Sequence, residues 1–335
     1  MKSKNSITIR DVASTAGVSI STVSRYLANP ESVRAYMGYN IRNAIRDLNY
    51  QPNVFAQNLR RNTSNIIGVV TPNSNYYFGV SYKAISDFFY TKGYISYLCI
   101  SDNDVEKERF FIQSLLNNKP AGLAIISSGK NKGFLSEISE TFKRIVILDR
   151  PEEINCDTVV EDHEQNAYLL TSHILAKKLP GTPLIIMLGF DQATSTQRIL
   201  AGMYQSFKES PVLPDYTVFH DCNRTDNLLR AVSHTKELVN NGKHPQIIAF
   251  GPNILEEAVL AFNKTGISVI KGHVLLAGFA LPNTIDRLGF DFPCVIQNPE
   301  YSGIVAAELL HKRIIGEIKT SDAQFLRIES VLHLI

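Results

Sequence analysis

The stretch from Thr8 to Arg25 constrains the fold of this chain more than any other. Four apolar residues recur there at the spacing of one helix face. They are Ile9, Val12, Ala13 and Ala16. Thr8, followed three residues later by Asp11, predicts the start of this helix, with a hydroxyl cap and an acid beside the exposed amides. Gly17 predicts its end, because a left-handed turn suits a residue without Cβ.

A second helix is predicted directly after this turn. Ser19 is its N-cap, and Val23 and Leu27 form its inward face. Four polar side chains are expected to face outward, namely Ser21, Thr22, Ser24 and Arg25. Two short helices around a glycine turn, the second with a hydroxyl-rich and basic outer face, are typical of a helix-turn-helix DNA-binding motif. Periodicity alone is also compatible with two ordinary amphipathic helices.

The order of residues in these helices resembles that of a known family. Val12-Ala-x-x-Ala-Gly-Val-Ser-x-Ser-Thr-Val-Ser-Arg25 is similar to the opening of the lactose/galactose repressor family of bacterial transcription regulators. Asn49-Tyr-x-Pro-Asn53 and Ala56-x-x-Leu59 extend the resemblance along the first 60 or so residues. The rest of the chain resembles the family's sugar-binding core in layout more than in motif.

The resemblance implies a helix-turn-helix head over residues 1–51, a hinge helix or linker over 52–62, and an effector-binding and dimerisation core over 63–335. Two heads of a homodimer would bind the half-sites of double-stranded operator DNA, and Leu59 would wedge into the minor groove. The DNA-binding residues that it implies are Thr8, Ser19, Ile20, Ser21, Thr22, Ser24, Arg25, Asn53, Phe55, Ala56, Asn58 and Leu59.

The start of the third predicted helix departs from the family pattern. Arg34, Met37 and Gly38 stand where relatives usually place Ser and then Thr-Arg. The helix cap and one phosphate-binding hydroxyl are thereby lost, and Gly38 costs about 1 kcal/mol in a helix interior. The alternative interpretation is therefore a sugar-binding module with an impaired DNA-binding head.

The charge distribution agrees with a DNA-binding head. The net charge of +2 divides into +6 over residues 1–62 and −4 over the remainder. A basic head can neutralise phosphates, while the mildly acidic body has no such role.

Several other classes of protein are not indicated. The four cysteines are scattered, which argues against a zinc site or a disulfide framework and fits the cytoplasm. There is no apolar run of membrane-spanning length and no secretory signal, so no membrane partner is expected. Ser127-Ser-Gly-Lys130 is similar to a phosphate loop, but its upstream glycine is misplaced. We interpret His163 and His173 as surface or packing residues, and predict no enzyme, no catalytic residue, no metal and no cofactor.

From Asn65 onward, apolar strands alternate with amphipathic helices, which predicts parallel sheets covered on both faces. The predicted fold is thus an all-α helix-turn-helix head plus an α/β core of two doubly wound parallel-sheet lobes, like periplasmic binding proteins. The resemblance places the N-lobe at about 63–160 and 298–321, and the C-lobe at about 161–297 and 322–335. The chain would cross between lobes near residues 160, 295 and 322.

Ligands of such sheets bind at the carboxyl ends of the strands. The predicted effector-binding residues are Phe78, Ser127, Asp149, Arg150, Asp191, Arg198, Gly251, Ala280 and Gln297. Asp149-Arg150 resembles the pair in the sucrose- and fructose-responsive repressors, and Gly251-Pro252 and Ala280-Leu281 replace groups that bind hydroxyls in many relatives. The sequence therefore predicts a sugar or sugar-phosphate effector, with Arg150 and Arg198 as candidate anion partners.

Overall fold

The computed structural model describes residues 7–50, 64–177, 181–211, 214–270, 272–320 and 322–335. The chain divides into two units, Met1–Ser64 and Asn65–Ile335. The predicted hinge residues Asn53, Phe55, Ala56, Asn58 and Leu59 lie outside the described residues.

The first unit contains the predicted helices. They are α1 (Ile9–Ala16), α2 (Ile20–Ala28), a 3₁₀ turn (Pro30–Ser32) and α3 (Ala35–Asp47). The backbone N–H of Thr8 donates to the Asp11 carboxylate at 2.7 Å, and Gly17 ends α1 in the left-handed region at φ +65°. The predicted start and end of this helix are confirmed. The inner faces of all three helices meet in one apolar core around Val12, Val23 and Ile41, each fully buried.

The unusual start of α3 is explained by a side chain on α2. Arg34 at the N-cap makes no side-chain capping bond, as the sequence predicted. Gly38 faces the ring of Tyr26, and a Cβ on Gly38 would lie 3.2 Å from Tyr26 Cε2. The Tyr26 hydroxyl accepts a hydrogen bond from Arg42 Nε at 3.2 Å. The glycine therefore leaves room for a large ring that joins α2 to α3.

The second unit begins with alternating strands and helices. These are β1 (Ile66–Thr71), α4 (Tyr76–Tyr90), β2 (Ile95–Ile100), α5 (Val105–Asn117), β3 (Gly122–Ile125), α6 (Lys132–Thr141), β4 (Ile145–Leu148) and β5 (Asp157–Glu161). A second series follows, made of α7 (His163–Ala176), β6 (Leu184–Met187), α8 (Thr194–Glu209), β7 (Tyr216–Phe219), α9 (Thr225–Asn240), β8 (Gln246–Ala249), α10 (Pro252–Thr265), β9 (Leu275–Ala280), α11 (Thr284–Leu288) and β10 (Cys294–Ile296). The chain continues through α12 (Pro299–Ile314), β11 (Phe325–Ile328) and β12 (Val331–His333).

The strands form two six-stranded sheets, in the orders β11-β5-β4-β3-β1-β2 and β12-β10-β9-β8-β6-β7. All neighbouring strands pair in parallel except β12, which is antiparallel to β10. Separate apolar clusters cover the two faces of each sheet, because the central strands are buried on both sides. The predicted core of two doubly wound lobes is confirmed. No helix within the described ranges is long and apolar enough to cross a membrane.

Three connections join the two lobes. The first runs from β5 to α7, the second from β10 to α12, and the third from β11 to β12. The predicted third crossing near residue 322 is wrong, because β11 pairs with β5 in the first sheet and places Phe325 beside Thr158. Leu326 and Ile328 of β11 pack into the first lobe's core, so the crossing follows Ile328.

The contact between Tyr26 and Gly38 predicts a coupled pair. We expect Gly38→Ala to destabilise the head or leave its stability unchanged, because the gain in helix propensity is offset by crowding against the ring. In a Tyr26→Val background the same change is expected to stabilise by about 1 kcal/mol. Denaturant unfolding of the four proteins completes a double-mutant cycle. Equal effects of Gly38→Ala in both backgrounds would contradict the coupling.

Candidate functional site

The N-terminal half of α2 presents the candidate DNA-binding face of the head. Ser19 Oγ accepts from the Thr22 backbone N–H at 3.2 Å, which confirms Ser19 as the cap. Ile20, Ser21 and Arg25 are exposed, and the last two lie four residues apart on one side of the helix. Thr22 does not face outward as predicted, since it is buried and its hydroxyl lies 2.8 Å from Ser19 Oγ. It therefore supports the cap.

Two further residues predicted to bind DNA complete the described part of this face. Thr8 is exposed at the start of α1, and Ser24 is half-buried on α2. A row of small hydroxyls, one exposed isoleucine and one exposed arginine can contact phosphates and the base edges of a major groove.

The second unit contains a cleft between its two lobes, at the carboxyl ends of the strands. The space that remains inside it is about 90 Å³, in a position where sheets of this type bind small molecules. The residues that line it are Asn73, Asn75, Tyr77, Phe78, Asp149, Arg150, His163, Gly189, Phe190, Ser195, Thr196, Ile199, Asn223, Phe250, Gly251, Pro252, Asn253, Ile254, Phe279 and Gln297. Rings and planar polar groups dominate this lining, and its charged groups are confined to the first lobe and the first connection.

Five of the predicted effector-binding residues line the cleft. They are Phe78, Asp149, Arg150, Gly251 and Gln297. Four others do not, and they are Ser127, Asp191, Arg198 and Ala280. The positions of three of them explain this difference. Ala280 is fully buried in the second lobe's core, and Ser127 is also fully buried, with its carbonyl accepting from Arg150 at 2.9 Å. Asp191 pairs instead with His220 Nδ1 at 2.7 Å.

Asp149 lies at the centre of a cluster of buried polar side chains at the floor of the cleft. Its backbone adopts φ +59°, a left-handed conformation that is costly for a residue with a Cβ and typical of functional sites. Asp149 Oδ1 lies 3.2 Å from His163 Nε2 and accepts from the Tyr77 hydroxyl at 3.3 Å. Burial would raise the pKa of this carboxyl, but His163 and Arg150 outweigh it and lower the pKa. The carboxylate is therefore ionised at neutral pH.

The neighbours of His163 also shift the pKa of its imidazole, and they shift it upward. Burial would lower its pKa, but the hydrogen bond and charge of Asp149 and the charge of Glu161 raise it. Its Nδ1 is buried and has no hydrogen-bond partner within the described part of the chain. His163 lines the cleft, so its ring borders the space that a ligand would occupy. The sequence interpretation of His163 as a surface or packing residue missed this arrangement.

Arg150 is a buried cation beside this carboxylate, with only 4% of its surface exposed. Its guanidinium donates to Asn103 Oδ1 at 2.7 Å and to the Ser127 carbonyl. It lies 5.7 Å from the ring centre of Phe78 and 6.0 Å from that of Phe190. Burial lowers its pKa, while Asp149, Glu108 and Glu152 oppose that shift. The guanidinium is therefore held in place by existing partners.

The two lobes touch at one rim of the cleft. Gly129 of the first lobe has φ +83°, and a Cβ there would lie 2.3 Å from the Gln192 carbonyl oxygen of the second lobe. Lys130 Nζ lies 5.9 Å from the ring centre of Phe190. Phe190 of the second lobe therefore contacts two cations of the first, Lys130 and Arg150, and the lobes are in contact at this rim.

Sequence reasoning also missed Phe190 and Asn223, although a signal for both existed. Phe190 follows β6 by three residues, and Asn223 follows β7 by four. The strand-end rule therefore indicated their region without specifying which side chains turn inward.

Comparison with known proteins assigns the head to a family. The protein-family model described as "Bacterial regulatory proteins, lacI family" matches residues 8–53 of the sequence. The HTH-type transcriptional repressor PurR of Aliivibrio salmonicida is 26% identical over 85% of this chain and 82% of its own length. The ribose operon repressor of Halalkalibacterium halodurans is 36% identical over 50% of each chain. The crystal structure of the lac repressor dimer bound to operator and the anti-inducer ONPF matches with a TM-score of 0.77 and 20% identity, covering 98% of both chains.

Residues 8–53 belong to the lacI family of bacterial regulatory proteins. The named relatives are transcription repressors, and the exposed hydroxyls and Arg25 of α2 agree with a DNA-binding regulator. The same fold in the lac repressor structure agrees with a head and a two-lobed core in one chain.

The rim contact predicts that the two lobes can touch here only because residue 129 is a glycine. We expect Gly129→Ala to keep the lobes apart, because the new methyl would overlap the Gln192 carbonyl and φ +83° disfavours a side chain. Small-angle scattering should then give a larger radius of gyration than the wild type. Gly133→Ala on α6 is the matched control, since a Cβ there has no heavy atom within 4 Å. Identical scattering from both variants would contradict the assignment.

Proposed function

We propose that this lacI-family regulator is a homodimeric repressor of a carbohydrate-utilisation operon, controlled by a sugar in the interlobe cleft. It acts in the cytoplasm, on operator DNA. The observation that carries the effector part is the cleft floor, where the ionised Asp149, His163 and the ring of Phe78 line one pocket. Sugars present hydroxyls that bind planar polar groups and C–H faces that pack on aromatic rings.

The polar groups of the cleft match a polyhydroxyl ligand. The Asp149 carboxylate accepts hydrogen bonds, and the amides of Asn73, Asn223 and Gln297 both donate and accept. A vicinal diol can donate to Asp149 and accept from an amide at the same time. The four phenylalanines that line the cleft are Phe78, Phe190, Phe250 and Phe279. Their rings offer apolar surface to the faces of a sugar.

A neutral sugar fits this site better than a sugar phosphate. Arg150 is the one arginine of the lining, which contains no lysine. Its charge already faces Asp149, Glu108 and Glu152, and two of its hydrogen bonds are taken by Asn103 and the Ser127 carbonyl. A phosphate would meet the Asp149 carboxylate without a second lysine or arginine to balance it. Arg198, the other anion partner predicted from the sequence, does not line the cleft.

An exposed apolar edge supports the homodimer. The outer strand of the first sheet, β2, exposes 53% of Ile95, 49% of Tyr97 and 38% of Leu98. Edge strands that face only solvent usually carry charges, whereas this one carries a large apolar patch. A second copy that covers this edge gives two heads related by a two-fold axis, which fits a near-palindromic operator.

The head supplies sequence recognition through the start of α2. Ile20 offers apolar contact to a thymine methyl, and Arg25 a hydrogen bond to guanine or a phosphate. Effector binding that changes the pairing of the lobes near the DNA must change operator affinity, and operator must change effector affinity by the same factor.

The alternative function is a sugar-binding module whose head has lost DNA binding. Its supporting observation is the missing capping bond at Arg34, where α3 starts without a side-chain partner. The two candidates differ only in the response to DNA.

Footprinting on the region upstream of its own gene tests the DNA-binding part. We expect a protected near-palindrome, and a 10- to 100-fold weaker affinity in Arg25→Ala, because a base contact of this kind contributes about 1–3 kcal/mol. Arg46→Ala is the control. It removes the same charge from the last turn of α3, where Arg46 pairs with Asp47 at 3.1 Å. The absence of any protected site in a folded dimer would favour the alternative.

A thermal-shift screen with neutral sugars and their phosphate esters tests the effector. We expect one or more neutral sugars to raise the melting temperature of the wild type, and to lose this effect in Asp149→Asn. The same sugar should change operator affinity. Stabilisation by phosphate esters alone would contradict the neutral-sugar proposal while leaving the repressor intact.

A further inference from the structure

A buried glutamate lies where the three interlobe connections meet. Glu161 ends β5 and begins the first connection, and only 2% of its surface is exposed. In the β5–β11 pairing it lies beside Ile328, the last residue before the third connection. A carboxyl group at this depth needs hydrogen-bond donors, because burying a charge without partners is costly.

The donors to this carboxyl group come from separate parts of the chain. Glu161 Oε1 accepts from the backbone N–H of Asn298 in the second connection at 3.1 Å. Oε2 accepts from Ser330 Oγ in the third connection at 2.7 Å, and Ser330 Oγ accepts in turn from Asn166 on α7 at 2.9 Å. The side chain of Gln297 also donates to Glu161. One side chain therefore contacts all three connections.

The same carboxyl group also contacts the cleft floor. The Tyr77 hydroxyl lies 3.4 Å from Glu161 Oε1 and 3.3 Å from Asp149 Oδ1, so it lies between the two carboxyl groups. His163, two residues along the chain from Glu161, lies against Asp149. Tyr77, Asp149, His163 and Gln297 all line the cleft. A ligand at the floor is thus one hydrogen bond away from the group that joins the connections.

We propose that Glu161 is a positioning residue that holds the three interlobe connections together as a single pivot and joins this pivot to the cleft floor. The link to the cleft rests on the proposed effector function, whereas the pivot itself does not. A carboxylate suits this role because it offers only acceptors, and its two oxygens can satisfy donors from several directions. Glutamine at this position would turn an amide N–H₂ toward donors, which leaves at least one of them unpaired.

Hydrogen exchange of the full-length protein without ligand or DNA tests the pivot. In Glu161→Gln we expect the Asn298 amide to exchange at least tenfold faster, together with the amides around Ser330. The decisive variant is Ser330→Ala, a milder change in the third connection. It should also accelerate the Asn298 amide in the second connection, because the two segments share one carboxyl group.

Glu108→Gln is the matched control in the same lobe. Glu108 is fully buried and accepts from the Ser128 backbone N–H at 2.6 Å. Glu108→Gln should accelerate hydrogen exchange at the Ser128 amide and leave exchange at the Asn298 amide unchanged. Two outcomes would overturn the proposal, namely a Ser330→Ala effect confined to its own connection, or equal acceleration of Asn298 in Glu108→Gln. Because these measurements need neither sugar nor operator, they are independent of the proposed function.

Discussion

The direction of the strands is the constraint on which the candidate site depends. All strands of the first sheet are parallel, so every loop that leaves a strand's carboxyl end lies at one edge. The second sheet repeats this arrangement with one antiparallel strand. Because three connections join the lobes at these edges, the polar loops of both sheets are brought to one cleft. The cleft is therefore a consequence of topology, and its chemistry is a consequence of which side chains follow each strand.

Burying Asp149 and Arg150 at this cleft is costly unless each charge has partners. Burial alone shifts each pKa toward the neutral form. The charge of Asp149 is compensated by His163, Tyr77 and Arg150, and that of Arg150 by Asp149 and by two hydrogen bonds from its Nη1. Removing a single partner from such a pair leaves an uncompensated charge, which costs roughly 3–5 kcal/mol. The floor of the cleft is thus fixed before any ligand arrives.

The head could be predicted from the sequence because its signals are local. The Thr8–Asp11 cap and the Gly17 turn each depend on residues within one helical turn of each other. Thr22 was misassigned because its outward spacing could not show that its hydroxyl reaches back to Ser19. Gly38 was predicted as a defect, and only its contact with Tyr26 on another helix gives it a function.

For the core, the fold class could be predicted from the sequence, but several details could not. Those details depend on contacts between residues that are distant along the chain. Strands that are apolar and buried throughout specify parallel sheets, but β11 alternates in burial, and its place beside β5 follows from pairing across the fold. The strand-end rule found Asp149 and Arg150, yet it also selected Ala280, whose side chain points into the second core. Glu161 gave no signal in the sequence, because its partners lie more than 80 residues away along the chain.

The division of charge between the lobes implies different roles for them in effector binding. The ionised Asp149 and Arg150 belong to the first lobe, whereas the second lobe lines the cleft with neutral amides, hydroxyls and the rings of Phe190 and Phe279. A polar ligand gains its strongest hydrogen bonds on the first lobe, since bonds to charged groups exceed neutral ones. The second lobe adds apolar surface, which keeps water from the ligand. The orientation of a ligand is therefore set mainly by the first lobe, and the second lobe contributes mainly apolar contact.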